Sequence, residues 1–409
     1  MSNKPLTIGL FGFGCVGQGL WKIAEQRSDI QIKKICVKSR HKPRPLPESY
    51  FTYNPDDILS DPETDVVVEL IDDAGAALQI LKNALQKGKH VVTANKRMLA
   101  ENLIEVLRLQ RQHNRAVLYE AAVCGSIPII RTLEEYYAHQ EITAIDGIFN
   151  GSTNYILTRV LDENRTYAEA LHEAQKAGFA EADPTLDVEG LDPRYKLSLA
   201  ILHAFGMVLL PEQIPVAGIS KIGKEEVRFA RQNGLSLKLS VGAVKEGNRI
   251  FAYVLPQFVP VAGALAAVRH EFNAVHITGS YTGKQLLVGK GAGSLPTALA
   301  VLSDIAALHH NYRYAYTKYA NAASLEFTTD VSVKAWVRFS DGSGNHWQAF
   351  TKIIGGAANA SGQVVVGELP LDKLMALQEQ NRVTAVLIAD DCTISTLPAD
   401  ATGVMQQVA

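Results

Sequence analysis

The sequence predicts an α/β protein in three parts: a doubly wound parallel sheet, an α+β region, and a small C-terminal α/β unit. Three observations carry the prediction. Strand and helix signals alternate through the first third of the chain, as they do where a parallel sheet is covered on both faces. A glycine-rich turn, Gly12-Phe13-Gly14-Cys15-Val16-Gly17, stands between the first strand and the first helix. After residue 142 helical patterns give way to strand patterns, which suggests segregated helices and strands.

In the first part, Leu6–Phe11 is a short apolar strand, and Val16–Gln26 is an amphipathic helix. Ile30–Val37 reads as the second strand. Lys38–Pro47, with three prolines and five basic residues, is a loop. Asp65–Ile71 is a buried strand, Ala76–Lys87 a helix, His90–Thr93 a strand, Leu99–His113 a helix and Val117–Tyr119 a strand. The second part, 142–288, opens mostly helical, with Thr166 and Glu169 forming a capping box before a helix that ends near Gly178. Strand-like runs follow at Leu235–Val244, Arg249–Leu255, Ala274–Thr278 and Gln285–Val288. The apolar helix Leu295–Leu308 follows a glycine-rich GKGAG, and 289–328 is expected to return to the first domain, 1–141. The last part, 329–409, is expected to form a separate unit: strand Val331–Phe339, helix Trp347–Ile354, strand Gln363–Glu368, helix Leu371–Gln380 and strand Thr384–Ile388.

Composition excludes several function classes. The 409 residues are 47% hydrophobic with a formal net charge of −2, so no basic field calls for nucleic acid or an acidic membrane surface. No apolar run reaches the ~18 residues of a membrane span, and residues 1–6 lack a signal-peptide core. Cys15, Cys36, Cys124 and Cys392 lie far apart without a C-x-x-C pair, which argues against disulfides or zinc and for the cytoplasm.

The G-x-G-x-x-G turn has a physical rationale. Gly12 permits the tight turn, Gly14 lets the backbone approach a pyrophosphate at a helix N-terminus, and Gly17 allows close helix–strand packing. Its strand-turn-helix context marks a Rossmann-type dinucleotide site, with Phe13, Cys15 and Val16 completing the loop. An NAD-binding acid is expected about 20 residues on. This chain offers Lys38, Ser39, Arg40, His41 and Lys42 instead, cations and a hydroxyl that suit the 2′-phosphate of NADP.

Three further stretches bear chemistry. GFAEADPTLDVEGLDPRYK, residues 178–196, packs Glu181, Asp183, Asp187, Glu189 and Asp192 together and then adds Arg194 and Lys196. Asp192-Pro193 reads as an N-cap with proline at the first helical position, placing Lys196 on the same helical face as Asp192. A lysine beside carboxylates can donate a proton to a carbonyl oxygen as hydride arrives, and the carboxylates can bind an ammonium; the bland alternative is an acidic loop before a salt-bridged helix. Thr93-Ala94-Asn95-Lys96 follows a strand end, where open parallel sheets bind ligands. Tyr119-Glu120-Ala121-Ala122-Val123-Cys124-Gly125 does likewise; there Cys124 is either an inert thiol or the nucleophile of an acyl-transferring semialdehyde dehydrogenase.

Over residues 5 to 310 the chain resembles the homoserine dehydrogenases, in IGLFGFGCVGQGL, VVTANKRMLA, YEAAVCGSIPII, FNGSTNYILTRV, GFAEADPTLDVEGLDPRYKL and VGKGAGSLPTA, in that order. The resemblance implies reversible reduction of L-aspartate 4-semialdehyde to L-homoserine with NADP(H) or NAD(H), within threonine and methionine biosynthesis. It implies Lys196 as catalytic lysine, Asp192 beside it, and Lys96 between cofactor and substrate. Glu181, Asp187 and Asp192 become substrate acids, with Glu181 on the amino group. Gly291 and Thr93 join Gly12–Gly17, Lys38, Arg40 and Lys96 on the cofactor. The resemblance also implies a sodium ion held by the carbonyls of Val123, Gly125 and Ile127 near Glu120. It implies a homodimer made through the sheet of the middle domain, in the form without an aspartate kinase half. There are departures. Cys15 and Cys124 replace small residues, Pro193-Arg194 replaces a small pair, and Asp72-Asp73 stands where glycines are expected. The C-terminal unit occupies the place of an ACT regulatory domain, and an ACT-like fold is one alternative for it. The rival readings are an aspartate-semialdehyde dehydrogenase using Cys124 and a non-catalytic NADP-binding sensor.

Overall fold

In the computed structural model, residues 5–322, 325–340, 346–359, 362–380 and 382–394 are described. The chain divides into two compact units. One comprises 1–141, 195–211 and 289–322, the other 142–194, 212–288 and 323–409.

The first unit is built on six strands: β1 (Leu6–Phe11), β2 (Ile30–Cys36), β3 (Phe51–Thr52), β4 (Val66–Glu69), β5 (His90–Thr93) and β6 (Val117–Leu118). All neighbours pair in parallel, in the order β3-β2-β1-β4-β5-β6. The order reverses between β1 and β4, which is the switch point of a doubly wound sheet, and ligands bind there beyond the carboxyl ends of the strands. The central strands read as continuous apolar runs because both faces are covered: Ile8, Leu10, Val66, Val67, Val68, Val91 and Val92 are fully buried. The helix Cys15–Ala24 packs against the helix Ser294–Leu308 so closely that a Cβ at Gly19 would stand 2.6 Å from Ser294 Oγ. The helical stretch foreseen from Leu99 to His113 is two helices, Lys96–Glu101 and Leu103–His113. Asn102 breaks them, with φ −128° and a side chain that donates to the Met98 carbonyl instead of continuing the ladder.

The second unit holds a long mixed sheet. Its strands are β7 (Ile142–Ile148), β8 (Leu235–Glu246), β9 (Arg249–Pro260), β10 (Phe272–Gly279), β11 (Gly283–Lys290), β12 (Glu326–Phe327), β13 (Ser332–Phe339), β14 (Lys352–Asn359), β15 (Gly362–Pro370) and β16 (Val383–Ile388). The order is β11-β10-β7-β8-β9-β16-β13-β15-β14, with β12 beside β9. Thr166 and Glu169 form the foreseen capping box on the helix Tyr167–Lys176. Strand β7 escapes a helical reading of the region; it pairs antiparallel with both β8 and β10.

The C-terminal strands form no detached layer. β16 pairs in parallel with β9 through Leu387–Gln257 and Ile388–Phe258, so the sheet runs on from one set of strands into the next. Among themselves the last strands order as β16-β13-β15-β14, with the helix Leu371–Gln378 between β15 and β16. One expectation fails here. Residues 347–354 are not a helix; a single 3-10 turn at His346–Ala349 is followed by β14. Ile353 and Ile354 are β-branched, Gly355 and Gly356 disfavour helix, and pairing with β15 decides the outcome.

Candidate active site

The first unit gathers the predicted cofactor residues along one edge, because a parallel sheet brings all its carboxyl ends to the same side. At the end of β1, Gly12 has φ +93°, and a Cβ there would lie 2.4 Å from the Leu70 carbonyl oxygen. A Cβ at Gly17 would lie 2.7 Å from the Gly12 carbonyl oxygen, whereas one at Gly14 meets nothing within 4 Å. The turn is thus closed where helix and strand touch and open where a pyrophosphate would approach. Gly14 caps the helix Cys15–Ala24 without a side-chain acceptor, which leaves first-turn N–H groups for an anion. Cys15 is exposed at this turn, beside Val16, while Phe13 is buried against Phe51 with ring centroids 5.3 Å apart. These residues fit a dinucleotide.

After β2, Lys38 and Arg40 are exposed. The Arg40 guanidinium lies 4.7 Å over the Tyr53 ring, and that of Arg44 lies 5.0 Å over Phe51 and donates to the Ser39 carbonyl. Two aromatic faces therefore hold the basic loop against the sheet. Asp73, where glycine was expected, caps the helix Ala74–Gln86 by accepting from the Ala76 N–H at 2.8 Å.

At the ends of β4 and β5 the predicted cofactor residue Thr93 is paired with a buried acid, Glu69, that sequence reasoning passed over. Glu69 accepts the Thr93 hydroxyl at 2.6 Å and the Ile71 N–H at 2.7 Å. Burial pushes its carboxyl up to about 7. Thr93 is wholly buried, and its hydroxyl accepts the Asn95 N–H at 3.0 Å, so it shapes the loop that carries Lys96. Asn95 caps the helix Lys96–Glu101 through the Met98 N–H, which leaves Lys96 half-buried at the first helical position. The only signal for Glu69 in the sequence is an acid closing a run of valines.

After β6, Glu120 is buried, and its two carboxylate oxygens accept from the Ile130 and Arg131 N–H groups at 2.9 and 2.8 Å. Its own N–H donates to Asp304. Burial raises the Glu120 carboxyl to about 7 and raises Asp304 as well. Cys124 (φ 56°) and Gly125 (φ 54°) are successive left-handed residues in a buried loop that includes Val123 and Ile127. A Cβ at Gly125 would lie 2.5 Å from the Gly291 carbonyl, and Ser126 N–H donates to the Lys290 carbonyl. The predicted cation loop and the predicted cofactor glycine thus abut. A cleft of about 390 Å³ opens here, lined among others by Glu120, Gly125, Ser126, Arg131, Leu299 and Ser303. Cys124 is fully buried, a poor setting for a thiolate that must attack a substrate. Among the described residues no group of three or more His, Cys, Asp or Glu is placed to hold a metal ion.

In the second unit, the stretch from Gly178 folds as a short helix, Thr185–Val188, a left-handed turn at Gly190 (φ 78°), and the start of the helix Leu191–Phe205. Glu181 is exposed. Asp183 binds the Thr185 hydroxyl and N–H, which lowers its carboxyl. Asp187 and Asp192 converge on Asn150, a residue sequence reasoning did not single out, at 2.7 and 2.8 Å. The helix Leu191–Phe205 runs on into the residues of the first unit, where Lys196 stands one turn after Asp192; both are 7% exposed.

The comparisons with known proteins agree with this geometry. The family model described as homoserine dehydrogenase, NAD binding domain, matches residues 12–120, and the model described as homoserine dehydrogenase matches 128–306. The homoserine dehydrogenase of Bacillus subtilis is 41% identical over 325 residues, covering 77% of this chain and 75% of that protein. That of Neisseria gonorrhoeae is 39% identical over 312 residues, covering 74% and 72%. The crystal structure of a homoserine dehydrogenase from Thiobacillus denitrificans superposes with a TM-score of 0.84 at 30% identity, over 95% of this chain and 99% of that one. The rival readings, a Cys124-dependent semialdehyde dehydrogenase and a non-catalytic sensor, are not favoured by any of these. The chain belongs to the homoserine dehydrogenase family and is an NAD(P)-dependent oxidoreductase acting on a CH–OH group.

Proposed function

We propose that this enzyme interconverts L-aspartate 4-semialdehyde and L-homoserine with NADP(H) in preference to NAD(H), and that Lys196 is its proton-transfer group. The observation that carries the chemistry is the helix Leu191–Phe205, which carries Asp192 and Lys196 one turn apart, each 7% exposed. The bound nicotinamide supplies or accepts the hydride at C4. In the reductive direction Lys196 gives a proton to the aldehyde oxygen; in the oxidative direction it takes the proton of the homoserine hydroxyl. Asp192 keeps an opposite charge on the same helical face. Glu181 and Asp187 bind the substrate ammonium, and Lys96 orients the reacting centre next to the cofactor. Gly12–Gly17 hold the pyrophosphate, Lys38 and Arg40 the 2′-phosphate, and Thr93 and Gly291 border the cofactor.

A sodium ion on the carbonyls of Val123, Gly125 and Ile127, near Glu120, suits a hard cation with an all-oxygen donor set. A homodimer through the second unit's sheet and a cytoplasmic setting complete the reading. No helix among the described residues is long and apolar enough to cross a membrane. The test is spectrophotometric: oxidation of homoserine at matched NADP and NAD. Turnover with homoserine and a higher kcat/KM for NADP is expected; a preference for NAD refutes the cofactor assignment.

A further inference from the structure

We infer that Asn150 is a positioning residue for this reaction, donating to Asp187 and Asp192 at once and so holding the two acids together. The inference rests on the proposed role of those two acids. Asn150 is 3% exposed and N-caps the helix Gly151–Asp162. Its side-chain oxygen accepts the Thr153 N–H and the Thr153 hydroxyl, each at 2.9 Å. The backbone N–H, which can only donate, fixes which end of the amide is oxygen. A flipped amide would set NH₂ against that N–H and its carbonyl oxygen against two carboxylates, so three of the four contacts would turn repulsive. The cap therefore dictates that NH₂ faces the acids, donating to Asp187 Oδ1 at 2.7 Å and to Asp192 Oδ2 at 2.8 Å.

One nitrogen with two hydrogens serves two carboxylates, one each. It also ties Asp187, in the short helix Thr185–Val188, to Asp192, at the start of the helix that carries Lys196. Asn150 thus acts on substrate through the acids and does not itself touch it.

The test is a double-mutant cycle. Asn150→Ser keeps a good N-cap but loses the bridge; Asn150→Asp also caps but adds a third carboxylate. The expected result for Asn150→Ser is a kcat/KM for homoserine lowered about 10- to 100-fold, from the loss of charge-assisted hydrogen bonds. The KM for NADP(H) and the melting temperature stay close to wild type, and Asn150→Asp loses more. Because Asn150 acts through Asp187, adding Asn150→Ser to Asp187→Asn costs clearly less than it does alone. Unchanged homoserine kinetics in Asn150→Ser, strictly additive effects, or a loss confined to thermal stability overturns the inference. An Asp187→Asn variant with wild-type kinetics overturns the acid assignment itself, whereas a crippled Asp187→Asn beside a normal Asn150→Ser overturns only the role of Asn150.

Discussion

At the scale of single residues, two side chains separate chemistry from recognition. Lys196 is nearly buried on a regular helix, so Lys196→Met keeps the apolar stem packed and removes only the ammonium. Its kcat is expected to fall about 10²- to 10⁴-fold, the usual contribution of a positioned general acid, with the KM for NADP(H) little changed. Steady-state kinetics check this, and a variant that retains a third of the wild-type turnover removes Lys196 from the mechanism. Arg40 is the opposite case: it is exposed and stacked on Tyr53, and its proposed role is to read phosphate, not to do chemistry. Arg40→Ala is expected to weaken NADP binding far more than NAD binding, and added salt to weaken NADP selectively, because an exposed ion pair is screened. Titration of both cofactors at two ionic strengths measures it; equal losses would mean that the loop faces away from the ribose. Both residues could be proposed from the sequence because each sits in a short contiguous run of charged residues. Asn150 could not, because its partners at 187 and 192 are brought to it only by the fold.

At the scale of elements, the ends of β4 and β5 are joined by the Glu69–Thr93 hydrogen bond, and that junction responds to pH. The Glu69 carboxyl titrates near 7 in the folded chain, against an ordinary value of 4.5, because burial disfavours the charged form. A raised acid binds its proton more tightly in the folded state, so its contribution to stability is complete below about pH 4.5 and is lost as pH rises toward 7. Glu69→Gln keeps an acceptor for the Ile71 N–H and a donor for Thr93 without the titration. The variant is expected to lose part of the wild-type fall in stability between those pH values, a difference on the order of 3 kcal/mol at most. Denaturant melts at pH 5 and pH 7.5 measure it, and parallel pH dependence in the two proteins would show that Glu69 ionises freely. Elements were legible wherever local pattern and tertiary role agree. The apolar runs of β1, β4 and β5 and the capping box at Thr166 are such places. They were illegible where pairing overrides local signal: β7 carries Asp146 and Gly147 in its middle, and β14 carries two glycines that only its ladder with β15 keeps extended.

At the scale of the whole molecule, the question is whether the last strands are a module that can be removed. A sequence reading that ends one domain near residue 328 implies that they are; the packing between β9 and the strands after it implies the reverse. Phe258 on β9 is fully buried, with Trp336 of β13 edge-on at 6.3 Å and Phe229 at 5.2 Å. Glu226, fully buried in the helix Lys224–Gln232, pairs with Arg338 of β13 at 2.7 Å, and Arg338 also donates to Thr384 of β16. Ending the chain at residue 328 would strip the β16 ladder from β9, open the Phe258 pocket to water and leave the Glu226 carboxylate without its cation. An orphaned buried charge costs about 3–5 kcal/mol, and exposure of one phenyl ring adds about 2 kcal/mol more. Against the roughly 5–15 kcal/mol that a domain has in hand, this is a large fraction. The newly bared edge of β9 also offers a template for association. The truncated protein is therefore expected to be insoluble or to melt far below the full chain, and the second change Glu226→Gln is expected to recover part of the loss by removing the unpaired charge. Size-exclusion chromatography and thermal melts of the two truncations decide it: a soluble truncated enzyme with wild-type melting temperature and turnover would show that the C-terminal strands are an independent appendage after all.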